Sequence, residues 1–335
     1  MCFSKWILLA AALACSCAID ASAQSTPSVR ASPEAAKYPT RVVRVIVGFA
    51  PGGAVDVPAR LVAQRLSEAL GQAVIVENRP GADGIVAGDF VAKSPPDGYT
   101  LVYVSAGHAM NSILHAKTLP YHAVNDFAHV SLVATGPLTL VVNPALPVKD
   151  LKQLIALARS KPGQLNFASS GSGGTMHLAG ELLKSMAKIN IVHVPYKGGG
   201  PAVNDVIGGQ VELTFVGAPA SMPHIRSGRL KVLAVTSAKR AAALPDVPTV
   251  AELGYPGYEV AAWYGVLAAA RTPQSIVNQL STEIAKVVAL PDMRQRFLAL
   301  GIEPAGSTPQ QFTEHLKAEI ARWTPVIRNA GIPLD

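Results

Sequence analysis

A run of β-branched residues followed by a glycine turn and an amphipathic helix constrains the fold of this chain most strongly. Residues 42–47 are apolar except for Arg44 and rich in valine, which predicts a buried strand. Pro51-Gly52-Gly53 then forms a turn, and the helical spacing of apolar residues begins near Asp56. The same order of strand, glycine loop and helix returns at residues 165–187. Repetition of this order is typical of α/β proteins.

Strands and helices alternate from residue 40 onwards, which predicts parallel sheets with helices on both faces. Apolar runs predict strands at residues 42–47, 74–76, 101–104, 138–142, 191–194, 211–216 and 230–235. Helical periodicity predicts helices at residues 57–70, 151–159, 176–187, 276–290 and 310–330.

The order of the elements predicts two lobes. The apolar strand at 138–142 would carry the chain out of the first lobe, and a second apolar strand at 260–267 would carry it back. The first lobe would then comprise residues 40–137 plus 260–335, and the second lobe residues 138–259. Two crossings make a hinge, and the crevice between the lobes would lie at the carboxyl ends of the strands.

The first 23 residues predict a signal peptide, with Lys5, an apolar run over 6–15 and the cleavage motif Ala21-Ser22-Ala23. Export of this kind predicts a periplasmic location. A short membrane anchor and lipid attachment at Cys15 or Cys17 are the alternatives. Residues 24–39 are rich in Ser, Pro and Ala, which predicts a flexible tether.

Composition excludes several classes of protein. All three cysteines, Cys2, Cys15 and Cys17, lie in the predicted signal peptide, so we expect neither disulfides nor a thiol site in the mature chain. Of the 335 residues, 49% are hydrophobic and 15% charged, which is a globular composition. The net charge of +7 is scattered rather than clustered, which argues against nucleic-acid binding and favours the capture of small anions.

The glycine loops carry the candidate chemistry. A glycine loop at a helix start presents backbone N–H groups to an anion, so two facing loops predict a socket for a small carboxylate. In the first loop, Gly52 and Gly53 permit close approach of a ligand, and Asp56 caps the helix, orders the loop or meets a ligand amine. In the second loop, Ser169, Ser170 and Thr175 add hydroxyl groups.

Two further segments follow predicted strands and reach the same crevice. Tyr196 and Lys197 precede a glycine run, where they contact an anion or form a solvated turn. Ser105 and His108 follow the strand at 101–104. Trp263-Tyr264 forms either a pocket wall or part of the core.

Enzymatic readings are weaker. A serine near His177 suggests a hydrolase, but no serine has the G-x-S-x-G surroundings of a nucleophile elbow. Four histidines, from His108 to His129, recur every seven residues, but Pro120 interrupts the helix that a metal site with this spacing needs. We therefore expect no cofactor, no metal and no enzymatic activity.

Motifs along this chain resemble those of a known family, the Bug-type receptors of tripartite tricarboxylate transporters. The resemblance covers the chain from about residue 38 in seven motifs. They begin at Pro51-Gly52-Gly53-x-x-Asp56-x-x-Ala59-Arg60, Glu77-Asn78-Arg79-Pro80-Gly81-Ala82, Pro96-Asp97-Gly98-Tyr99-Thr100-Leu101, Ser169-Ser170-Gly171-Ser172-Gly173, Val194-Pro195-Tyr196-Lys197-Gly198, Leu233-Ala234-Val235-Thr236 and Leu244-Pro245-Asp246-Val247-Pro248.

The resemblance implies a two-lobe type II periplasmic-binding-protein fold that closes on a small carboxylate and delivers it to permease subunits in the membrane. A monomer is expected. It implies that the ligand contacts from the first lobe are Phe49, Gly53, Ala54 and Asp56. Those from the second lobe are Ser169, Ser170, Thr175 and His177. A sensor subunit for a membrane kinase is the alternative, and a serine hydrolase a weaker one.

The first loop departs from the commonest form of the family. Ala50 stands where a proline is frequent, and Ala54-Val55 replaces a more polar pair. The departure suggests a less polar ligand, such as an aromatic acid.

Overall fold

The computed structural model of this protein describes residues 38–329. The predicted signal peptide, most of the predicted tether and the cysteines therefore lie outside the described residues, as do the alternatives of an anchor or a lipid at Cys15 or Cys17. Among the described residues, no helix is both long and apolar enough to cross a membrane.

Strands and helices alternate along most of the described chain. The strands are β1 (Val43–Val47), β2 (Val74–Asn78), β3 (Thr100–Ser105), β4 (Phe127–Val142), β5 (Asn166–Ser169), β6 (Val192–Pro195), β7 (Leu213–Gly217), β8 (Lys231–Val235), β9 (Ala261–Ala269) and β10 (Glu303–Pro304). The helices are α1 (Asp56–Leu70), α2 (Ile85–Ala92), α3 (Gly107–Leu114), α4 (Leu151–Ser160), α5 (Thr175–Ala187), α6 (Gly199–Ile207), α7 (Ala218–Arg226), α8 (Gln274–Ala289), α9 (Pro291–Ala299) and α10 (Pro309–Asn329).

Strand β4 belongs to two sheets. Its first part, up to Pro137, pairs with β9 in the order β2-β1-β3-β9-β4, which we call the first sheet. Its second part, from Leu138, pairs with β7 and β8, and with β5 and β6 beyond β7 this forms the second sheet. The chain thus changes sheet within one continuous strand, and it returns to the first sheet through β9.

Both sheets are mixed, and the prediction of wholly parallel sheets was wrong. β1, β2 and β3 run parallel, as do β5, β6 and β7. However, β9 is antiparallel to both of its neighbours, and β4 is antiparallel to β7 and β8. The antiparallel pairs arise because β4 and β9 connect the two sheets instead of belonging to βαβ units.

The predicted helices and strands correspond to observed elements, with small shifts at their ends. The prediction missed short helices, notably α2, α3, α7 and α9, because eight or nine residues carry little periodicity. It also gave the outward crossing as residues 138–142, without joining that strand to the first part of β4. The polar residues His129 and Ser131 and the Gly136-Pro137 pair mask the first part of this strand, although its burial is nearly continuous.

Helices cover the sheets and bury one extensive core. α1 packs with α8 and α3 packs with α10 around the first sheet, whereas α5 and α6 pack against β5 and β7 of the second. Gly265 in β9 shows how close this packing is, because a Cβ added there would overlap the ring of Phe312.

Thr236 joins the two crossing segments just beyond β8. Its buried hydroxyl accepts a hydrogen bond from the Leu138 N–H at 3.0 Å and donates one to the Val260 carbonyl at 2.6 Å. Leu138 begins the second part of β4, and Val260 directly precedes β9. One side chain therefore holds both connections between the sheets.

We expect Thr236→Val to lower the free energy of unfolding by about 1–3 kcal/mol, because it leaves the buried Leu138 N–H without that partner. Urea denaturation measures the change. Thr236→Ser keeps the hydroxyl and should lie much closer to wild type. Equal stability of the valine and serine variants would contradict the role of the hydroxyl.

Candidate functional site

A narrow cleft lies where the two sheets meet. Its volume is about 50 Å³, room for only a few water molecules. The first sheet and its loops line one wall with Phe49, Gly53, Ala54, Val55, Asp83, Ser105, Ala106, Ala262 and Tyr264, and the second sheet lines the other with Leu138, Ser170, Thr175, Met176, Gly199 and Gly217. None of these lining residues is an Arg, Lys or His.

Five helices begin at this cleft. Val55, Ala106 and Gly217 are the N-cap residues of α1, α3 and α7, and Thr175 and Gly199 are the first residues of α5 and α6. None of these five N-caps is closed by a hydrogen bond from its own side chain. Because helix N-termini carry a partial positive charge and unpaired N–H groups, the cleft suits an anion without any cationic side chain.

The first loop is fixed by Asp56, which does not line the cleft. Its carboxylate accepts hydrogen bonds from Gly52 N, Arg60 Nε and Asn78 Nδ2. Burial alone would raise the pKa of Asp56, but the hydrogen bonds from Arg60, Gly52 and Asn78 bring it below its ordinary value. Asp56 therefore orders the loop, and both of its oxygens are already paired.

The first loop meets the loop before α6 across the cleft. The Ala50 N–H donates a hydrogen bond to the Lys197 carbonyl at 3.1 Å. A Cβ added at Gly53 would lie 3.3 Å from Gly200 N, and one added at Gly198 would lie 3.1 Å from Ala50 N. Glycines at these positions allow the two backbones to approach closely.

A half-buried histidine pair holds the loop between β5 and α5. Ser169 Oγ lies 2.6 Å from His193 Nε2 and donates to the Gly171 carbonyl, while His177 Nδ1 accepts from Gly173 N. The rings of His177 and His193 stack at 3.8 Å, and burial lowers the pKa of His193 to about 4. Ser169 and His177 thus shape the loop from behind and do not line the cleft.

Asp83 is a cleft residue that sequence reasoning missed. It lies in the turn between β2 and α2 with φ of 47°, in the left-handed region that Asp tolerates better than most residues. Ser170 Oγ donates to its Oδ1 at 3.0 Å across the cleft, whereas its Oδ2 is buried with no hydrogen-bond partner. Burial raises the pKa of Asp83 to about 7.

Two glycines make room for this carboxyl group. A Cβ added at Gly107 or at Gly174 would overlap the Asp83 carboxylate. Gly107 is the first residue of α3, and Gly174 is the N-cap of α5. Asp83 therefore occupies a space left between the starts of two helices, one from each wall.

Tyr264 and Thr175 also present unpaired hydroxyls. Tyr264 Oη and Thr175 Oγ1 are buried without a hydrogen-bond partner, and both residues line the cleft. Trp263, the other member of the predicted aromatic pair, points into the core, where its Nε1 donates to Glu319. Alternation along β9 thus makes one residue of the pair core and the other cleft wall.

The remaining predicted site residues lie outside this cleft. Tyr196 and Lys197 line a second cavity of about 380 Å³. Asp83 and Ser170 line both this cavity and the cleft, and so lie between the two. Tyr196 donates to Asp205 at 2.6 Å. His108 is buried behind the cleft, where its Nε2 donates to the Ala123 carbonyl, and Gly52 is exposed on the first loop.

Six of the thirteen predicted residues therefore share one cleft: Phe49, Gly53, Ala54, Ser105, Ser170 and Thr175. The residues missed include apolar ones such as Leu138 and Met176. Their residue type does not show whether they line the cleft or belong to the hydrophobic core. Asp83 had a usable signal, since it follows β2 in the glycine-rich run Gly81-Ala82-Asp83-Gly84 just as the other loops follow their strands.

Known proteins are similar to this chain in sequence and in fold. BugT of Bordetella pertussis is 40% identical over 313 residues, which cover 92% of this chain and 95% of BugT. The Rhodopseudomonas palustris protein Rpa4515, solved with adipate, is 42% identical with a TM-score of 0.86, covering 88% of this chain and 99% of that one. MatC of R. palustris, solved with malate, is 33% identical with a TM-score of 0.83, covering 87% of this chain and 100% of its own.

The match extends to a whole family. The family described as "Tripartite tricarboxylate transporter family receptor" matches residues 58–332, which include β2 through α10 and every cleft-lining residue except Phe49, Gly53, Ala54 and Val55. The predicted α/β fold of a periplasmic binding protein and the Bug-type resemblance are confirmed by these matches. The chain belongs to the tripartite tricarboxylate transporter receptor family.

Proposed function

We propose that this protein is a periplasmic receptor that captures a small organic carboxylate between two lobes and delivers it to a membrane permease. The convergence of five helix N-termini on a cleft lined by no cationic side chain carries the proposal. Such a cleft stabilises an anion through backbone dipoles. The carboxylates adipate and malate, held by the two structural neighbours, support the same ligand class.

The predicted lobes account for access to the cleft. Residues 40–137 plus 260–335 would carry the first wall and residues 138–259 the second, and the two would rotate about the crossings tied by Thr236. Because the cleft is narrow and lies between the two walls, the ligand would enter an open form. The closed form then gains population because only there does the ligand contact both walls.

Each wall would supply its own contacts. At one end of the cleft, which we call the glycine end, Gly53, Ala54, Gly199 and Gly217 lie together with Tyr264. At the other, which we call the Asp83 end, lie Asp83, Ser105, Ser170 and Thr175. The ligand carboxylate would lie at the glycine end, where three helix N-termini and the Tyr264 hydroxyl offer donors.

The family supports delivery to a permease, and so does the predicted signal peptide, which would bring the chain to the periplasm. Closure leads to transport only if a membrane partner then accepts the bound acid. Cells that lack this chain should therefore lose uptake of the acid that the purified protein binds. Unchanged uptake would contradict the delivery step and leave the binding step standing.

We expect Gly53→Val to weaken carboxylate binding by at least about tenfold, because a side chain there meets Gly200 N and keeps the two loops apart. Isothermal titration calorimetry against a panel of mono- and dicarboxylates measures the effect. Gly208→Val, at the exposed end of α6, is the matched control and should bind as wild type does. Wild-type affinity in Gly53→Val would refute the role of this loop.

We expect Tyr264→Phe to weaken carboxylate binding by about tenfold, the loss of one hydrogen bond to a charged group. Its stability without ligand should not fall, because the hydroxyl has no partner there. Tyr103→Phe is the control: that hydroxyl is also buried and unpaired, and the ring stacks on Tyr264, but Tyr103 does not line the cleft. Equal affinity losses in both variants would count against ligand contact by Tyr264.

A further inference from the structure

Asp83 sets a chemical requirement on the ligand, and the inference drawn from it rests on the proposed function. Asp83 Oδ2 is buried without a hydrogen-bond partner, and Thr175 Oγ1 close by is also unpaired. Both residues line the cleft. Buried acceptors without a partner are rare in native proteins, so unpaired ones at a binding cleft indicate a missing donor.

The charge of Asp83 also favours a hydrogen-bond donor at this end of the ligand. The residues that line the cleft include one carboxylate, Asp83, and no cation. A second carboxylate brought beside Asp83 by a ligand would meet a like charge in a place sheltered from water. The N-termini of α3 and α5, which would otherwise hold such a group, already face Asp83 across Gly107 and Gly174.

We propose that Asp83 is a specificity-determining residue that accepts a hydrogen bond from an ammonium group at the far end of the ligand. The ligand is then an amino acid whose carboxylate lies at the glycine end and whose ammonium lies at the Asp83 end. Charge-assisted hydrogen bonds of this kind are the strong ones, and one here would give Asp83 Oδ2 the hydrogen-bond partner that it lacks. Adipate and malate, by contrast, carry a carboxylate at both ends.

Matched ligand pairs test this directly. Each ω-amino acid is compared with the dicarboxylate of equal chain length: β-alanine with succinate, γ-aminobutyrate with glutarate, and δ-aminovalerate with adipate. Butyrate, valerate and hexanoate, which end in a methyl group, report on carboxylate binding alone. We expect the best-fitting amino acid to bind wild type at least about tenfold more tightly than its dicarboxylate and its methyl counterpart.

Variants at residue 83 then assign the preference. Asparagine is isosteric and tolerates the left-handed backbone, so Asp83→Asn should fold and lose the preference for ammonium. Asp83→Gly vacates the space between the two helix starts and should gain dicarboxylate affinity. Asp292→Asn, which removes a surface carboxylate paired with Arg65, is the control and should keep the wild-type order.

The pH dependence of binding gives an independent readout. The pKa of Asp83 is about 7 without ligand and falls when an ammonium binds, so binding releases a proton below pH 7. The affinity for an ω-amino acid should therefore rise from about pH 5 to pH 7 in wild type and stay flat in Asp83→Asn. A dicarboxylate that binds the protonated form would instead lose affinity above about pH 7.

Other titratable groups near Asp83 are common to both proteins and cancel in this comparison. His115, Tyr196 and Lys197 line the second cavity with Asp83. Behind Asp83 lie His108, neutral in this range because burial lowers its pKa to about 4, and Tyr121, whose pKa is raised by burial, by Asp83 and by Asp89.

The outcomes separate the two levels of the argument. A dicarboxylate that binds wild type as tightly as its amino partner overturns the role of Asp83 and leaves the carboxylate receptor intact. So does an ammonium preference that survives in Asp83→Asn. If the folded wild-type protein binds no acid of either kind, the proposed receptor function itself fails.

Discussion

One strand shared by two sheets is the constraint on which the cleft depends. Because β4 passes from the first sheet to the second at Pro137 and Leu138, the two sheets are held edge to edge by backbone hydrogen bonds. The carboxyl ends of β1, β3, β5, β6 and β7 consequently lead into loops that border the same space. Each loop feeds a helix, so five helix N-termini meet where the sheets meet.

Polar groups around the cleft divide into two sets with different roles. Asp56 and Ser169 are buried and hydrogen-bonded, Ser169 in part to the half-buried His193, and they hold the first loop and the loop before α5 in place. Asp83, Thr175 and Tyr264 instead each bury an oxygen without a partner. Satisfied groups stabilise a fold, whereas unsatisfied ones cost free energy unless another molecule supplies the partner. The first set holds the loops in place, and the second set leaves hydrogen-bonding capacity open at the cleft.

The sequence predicted the elements of this fold well and the side-chain directions less well. Strand runs such as 42–47 and helices such as 57–70 follow from hydrophobic periodicity, which reports local burial. The antiparallel placement of β9 does not, because pairing between distant strands leaves no local pattern. The glycine loops were located, but among Ser169, Ser170 and Thr175 the sequence could not show that Ser169 turns inward to His193. Asp83 escaped notice because its importance arises from Gly107 and Gly174, which are far from it along the chain.

The hydrogen bond from the Ala50 N–H to the Lys197 carbonyl has a consequence for how such receptors diversify. The contact between the two walls is made by main-chain atoms and by glycines that let them approach. Closure at this point is therefore insensitive to which side chains the neighbouring positions carry. Substitutions among the cleft-lining side chains can therefore change which ligand is bound, while the main-chain contact between the two walls is kept.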